Sequence, residues 1–252
     1  EPDLPPPPEP EVVEPPPPVL KRNLLERLLW EVTENGLWKK LFNEQMSMEE
    51  FELASVQWME QNDGAWDSAL GYYMPSSNEI ILRPSKDRDQ LMGTLIHELT
   101  HNWQFQSGKF DTQRWMFSSE AKQYYAGSGQ SLLVVEGHAR FADQMYIFHR
   151  GIQSRYKSLT SSDWNEYKVG YLLILGIHQA FGEEGLYRWL RGDTGEPMLR
   201  SRNPDLKWGF SLTDALETFG LLYEARTQKF NGIDIKVDQA EQELVAQSVT
   251  AK

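Results

Sequence analysis

Apolar residues recur at helical spacing in "LLERLLWEV" (residues 24–32) and in "SMEEFELASVQWMEQ" (47–61), where Ser47 is the expected N-cap. The period then changes. "SALGYYMPSSNEIILRP" (68–84) reads as a β-hairpin, with "PSSN" turning between two apolar and aromatic runs. Asp87, with Gln90 three residues on, has the spacing of a capping box and opens a helix that Gly108 closes. Three further helices follow: one from near Ser131 to Gly151, one over "WNEYKVGYLLILGIHQAFG" to Gly182, and one capped by Ser211 and stopped by Gly220. Short strands upstream and helices downstream predict an α+β domain.

Composition divides the chain. Residues 1–20, "EPDLPPPPEPEVVEPPPPVL", hold ten of the 14 prolines and five acids without one basic residue, the signature of an extended, polyproline-like acidic linker. Residues 21–230 are the expected globular domain, and 231–252 form a weakly patterned tail. With 40% hydrophobic residues and nine Trp the chain can bury a sizeable core. A formal charge of −12 argues against a phosphate-backbone partner, so no nucleic acid is expected. No apolar run approaches the roughly 18 residues of a membrane span. The chain opens on Glu1 rather than Met. A signal peptide, an anchor or another domain is therefore expected upstream, compatible with a secreted or envelope-anchored protein. Cysteine is absent, so any metal must be held by His, Asp or Glu.

Candidate chemistry sits in "TLIHELTHNWQFQSG" (94–108). His97 and His101 are four apart, on one face of the predicted helix with Cβ atoms about 5–6 Å from each other. Two imidazole nitrogens can therefore meet one cation at about 2.0–2.1 Å. Glu98 is turned about 100° from His97, at the rim, where a carboxylate can take a proton from an attacking water.

"HELTH" resembles the motif of the zincin metallopeptidases, which implies zinc on His97 and His101 with Glu98 as general base. The third His that metzincins place six residues after the second is missing, so the resemblance is to the gluzincin type, which takes a Glu from a later helix. Glu136 in "LLVVEGHARFAD" and Glu120 in "MFSSEAKQYYAG" are the two candidates, following His101 after 34 and 18 intervening residues. Glu136 is favoured, because an acid after "LLVV" needs a charge partner, Gly137 permits close approach to the first helix, and "EGHA" resembles the ligand helix of the group. His138, about 200° round from Glu136, cannot share its metal. Asp143, seven residues from Glu136 on the same face, is a candidate to orient a ligand imidazole. "EYKVG" resembles the Tyr-x-x-Gly step of aminopeptidase-like gluzincins, which implies Tyr167 as oxyanion donor, with Tyr171 second. "GYYMPSSN" lacks the acid with which those aminopeptidases grip a free amine, so endopeptidase action on a protein or peptide is expected. A weaker similarity is to the peptidase domain of plant ubiquitin-activated growth regulators, where Trp103 matches and Val135 stands in place of an acid. The resemblance thus implies a zinc endopeptidase. A silent zincin-fold scaffold and hydrolysis of a non-peptide amide or ester are the alternatives.

Overall fold

The computed structural model describes residues 23–65, 67–117, 132–151, 166–193, 195, 199–221, 223–224, 229–230 and 237–250. The acidic linker, Glu120 and Ser131 lie outside them. Asn23 opens α1 (Leu24–Val32) with a reciprocal capping box to Glu26, and the helix buries Leu25, Leu28 and Val32. A short helix that the periodicity did not single out, α2 (Leu37–Phe42), follows and buries Leu37, Trp38, Leu41 and Phe42.

Residues 47–61 correct the sequence reading. Ser47 does cap, but only a single 3-10 turn over Met48–Glu50, and Ser55–Trp58 then extends as strand β1. The stretch satisfies both periods on paper. Pairing decides it: β1 lies parallel to β3 (Glu79–Leu82), with Val56 opposite Ile80 and Trp58 opposite Leu82. The expected hairpin forms, with β2 (Gly71–Met74) antiparallel to β3. The sheet order is β1-β3-β2, so the apolar β3 is central and β2 is an edge.

Asp87 caps α3 (Arg88–Gln106) by accepting from the backbone N–H groups of Asp89 and Gln90. The return half of the expected box runs through Ser85, whose hydroxyl donates to Gln90 and accepts from the Asp87 N–H. Gly108, at φ +65°, ends the helix. From Leu91 to Gln104 almost every α3 side chain is buried, because the sheet packs on one flank and α4 (Leu133–His149) on another. A helix buried all round must find internal partners for its polar residues. Asn102 shows how: its oxygen accepts from the Ala54 N–H at 2.9 Å, while its amide donates to the Glu52 carbonyl and Asn78 Oδ1 at 3.1 and 2.8 Å. That one residue fastens the sheet to α3.

Helix α5 (Glu166–Leu190) packs on α4 and breaks at Gly182, φ +74°, where the first run was expected to stop. Ser211 and Asp214 form the capping box of α6 (Leu212–Thr218), and Gly220 at φ +65° terminates it. Strands β4 (Tyr223–Glu224) and β5 (Lys229–Phe230) form a separate two-stranded pair. Within the weakly patterned tail lies α7 (Val237–Thr250), which buries Ala240 and Leu244 against α4 and α5. Among the described residues no helix is long and apolar enough to cross a membrane. The fold is α+β.

Candidate metal centre

Side chains from two helices form a small triangle. His97 Nε2 is 3.2 Å from His101 Nε2 and 3.3 Å from Glu136 Oε2, and His101 Nε2 is 3.4 Å from the same oxygen. A tetrahedral ion with bonds of about 2.0–2.1 Å has ligand–ligand edges of about 3.3–3.4 Å. The three donors therefore already stand at the separations that one tetrahedral cation needs. They are also the sole group of this kind among the described residues. Two nitrogens and one carboxylate oxygen are donors that suit zinc, and three protein ligands leave a fourth position open.

Electrostatics favour positive charge here. Burial pushes the His97 imidazolium down, yet the neighbouring carboxylates of Asp143, Glu136 and Glu98 outweigh it and raise His97 to about 10. Burial likewise pushes Glu136 up, but the His101 and His97 rings hold its carboxyl well below the usual range. A cation in the triangle would take over the role that a proton plays on His97.

Glu98 is 5% exposed beside these donors. Burial raises its carboxyl, opposed by the charge of His97 and His101 and reinforced by Glu136. The backbone N–H of Tyr73 lies near enough to act in the opposite sense and lower it. The strand register explains that approach. Leu70 carbonyl takes the Arg83 N–H at 2.8 Å, so residues 70, 72 and 74 face β3 while Gly71 and Tyr73 turn their backbone groups outward. The edge strand thus borders a cleft of about 600 Å³, lined among others by Gly71, His97, Glu98, Arg140, Asp143 and Tyr167.

Asp143 approaches the far nitrogen of His97, Nδ1, at 3.6 Å, while Arg140 and Gln144 hold its carboxylate at 2.6 and 2.7 Å. Tyr167 is 42% exposed at the cleft rim, its ring 6.2 Å from that of His97. Tyr171, the second choice from sequence, is corrected: it is fully buried, and its hydroxyl donates to Glu241 of α7 at 2.9 Å. Gly137 is corrected too. A close approach exists, but to α5: a Cβ on Gly137 would stand 2.4 Å from the Gly170 carbonyl carbon, and one on Gly170 would stand 2.2 Å from the Leu133 oxygen. That contact draws α5 against α4, with Tyr167 one turn before it. His138 faces away from the triangle into a box of Trp103, Phe110 and Tyr187. Sequence reasoning missed Gln104, whose oxygen lies 2.8 Å from His101 Nδ1. Its one available signal was the i+3 spacing from His101.

Residues 39–127 match a family model described as "Putative metallopeptidase family (DUF6782)". The matched segment, roughly a third of the chain, includes β1–β3, His97, Glu98 and His101 and stops short of Glu136 and Tyr167. No curated protein and no solved structure matches the chain. At the coarse level, similarity to a metallopeptidase family and a three-donor His/Glu group agree on a metal-dependent peptidase.

Proposed function

We propose that the chain is a zinc-dependent peptide-bond hydrolase of the gluzincin type acting as an endopeptidase, with zinc held by His97, His101 and Glu136. The observation that carries the reading is the triangle of donor atoms with 3.2–3.4 Å edges. When bound, zinc supplies Lewis acidity, polarising a carbonyl and lowering the pKa of water towards about 7. Glu98 takes the proton of the attacking water and hands it to the leaving amine nitrogen. Its buried position and raised pKa suit a group that must both accept and release a proton near neutral pH. Tyr167 donates its hydroxyl hydrogen to the developing oxyanion, a role supported by its exposure at the rim near His97. An extended protein or peptide substrate pairs with the outward backbone groups of β2, as strand addition to a sheet edge requires.

The test has two parts. Purified full-length chain should carry about one zinc and cleave an unstructured protein such as casein. Glu98→Gln should keep the metal and lose nearly all turnover. Protein that neither contains nor takes up zinc would overturn the reading, and a Glu98→Gln variant with wild-type turnover would overturn the mechanism. Zinc uptake without hydrolysis of any peptide would leave a binding protein.

A further inference from the structure

We infer that Gln104 is a positioning residue that holds the His101 imidazole in its Nδ1–H form and so keeps the Nε2 lone pair in the metal triangle; this rests on the metal reading above. Gln104 sits one turn after His101 and is 2% exposed. All of its polar atoms are engaged. The amide nitrogen is 3.0 Å from the Val135 carbonyl oxygen and 3.1 Å from His138 Nδ1, and the amide oxygen is 2.8 Å from His101 Nδ1.

The polarity of this chain follows from one unambiguous group. A backbone carbonyl only accepts, so the Gln104 atom facing Val135 has to be the nitrogen. The other atom is then the oxygen, which also only accepts, so His101 Nδ1 carries the hydrogen. A neutral imidazole protonated at Nδ1 has a bare Nε2, and Nε2 is the atom 3.2 Å from His97 Nε2 and 3.4 Å from Glu136. His138 secures the arrangement by accepting the second amide hydrogen. A flipped amide would aim its oxygen at the Val135 carbonyl oxygen, an acceptor that cannot change role, beside His138 Nδ1. Both are buried, so water cannot relieve the conflict. His138 cannot swing away either, because its ring lies 5.6–6.3 Å from those of Trp103, Phe110 and Tyr187.

Val135 immediately precedes Glu136. The contact that orients one proposed ligand therefore also ties α3 to the α4 backbone next to the third. His97 is served differently, by the Asp143 carboxylate. The two imidazoles thus depend on separate partners, and the effect of Gln104 is specific to His101.

The test uses zinc affinity by chelator competition, with far-UV circular dichroism as the fold control and long-range 1H–15N spectra of the imidazoles. Gln104→Leu, which removes the acceptor, should weaken zinc binding by about 10–100-fold with the fold intact. Gln104→Glu keeps an acceptor for the same N–H but sets its second oxygen against the Val135 carbonyl, so it should bind zinc more weakly than wild type and more tightly than Gln104→Leu. Wild-type spectra should report His101 protonated at Nδ1. Folded Gln104→Leu with wild-type affinity overturns the inference and leaves the metal reading standing. Equal losses in the folded Leu and Glu variants mark a packing role and also overturn it. Should Gln104→Leu fail to fold, the wild-type spectrum decides, and a His101 bare at Nδ1 refutes the inference. A wild-type chain that takes up no zinc fells the metal reading first.

Discussion

Gly170→Ala tests the helix contact beneath the site. The added Cβ would stand 2.2 Å from the Leu133 carbonyl oxygen and 2.7 and 2.9 Å from Gly137 Cα and N. Carbon–oxygen contacts normally settle at about 3.3–3.6 Å, so α4 and α5 would have to part by about 1 Å. All of the clashing atoms are backbone, and no side chain can rotate out of the way. Overpacking costs about 1–3 kcal/mol, and a backbone clash belongs at the upper end. At about 2–4 °C per kcal/mol for a chain of this size, Tm should fall by about 6–12 °C. Tyr167 moves with α5, and a displacement of about 1 Å at a reacting group reaches about 100-fold in rate. Gly93→Ala is the contrast: it is also helical, but its added Cβ meets nothing within 4 Å, so removing backbone entropy should stabilise by about 0.5–1 kcal/mol. Thermal unfolding of the full chain in excess chelator reads both without interference from metal. If Gly170→Ala melts within about a degree of wild type, or if the two alanines behave alike, the close approach is refuted.

Two further outcomes are expected. Glu136→Gln should weaken zinc binding by more than about 100-fold, since a neutral amide is a poor donor, while Glu120→Gln leaves it nearly unchanged; the reverse result in a zinc titration would overturn the third-ligand assignment and with it Tyr167. His178 is buried, and burial together with the charge of Arg202 lowers its pKa to about 4. The unfolded chain, with an ordinary His, binds that proton first, so stability is lost as pH falls from about 6.5 towards 4 and the loss levels off below. His178→Leu should therefore shrink the drop in unfolding free energy between about pH 6.5 and 4.5 by about 2 kcal/mol, and urea curves with equal pH slopes would refute this.

Features that depend on neighbours a few residues apart were legible in the chain. Asp87 and Ser211 cap because an N-cap needs only the next turn of backbone; the hairpin needs only its turn; Gly108, Gly151, Gly182 and Gly220 stop helices through their own positive φ. The His97–His101 face is likewise a property of one helical turn. What depends on partners far along the chain was settled only by tertiary structure. Ser55–Trp58 carries both periods, and its parallel pairing with β3, 24 residues away, made it a strand. Gly137 advertised a close approach without naming Gly170 as the partner. Tyr167 and Tyr171 are one turn apart and chemically alike, and the packing of α7 sent one into the core and left the other at the rim. Gln104 reads as an ordinary polar residue of a helix. Its significance comes from the α4 backbone lying against α3, because only a buried acceptor of fixed polarity can dictate which way an amide, and then an imidazole, must point.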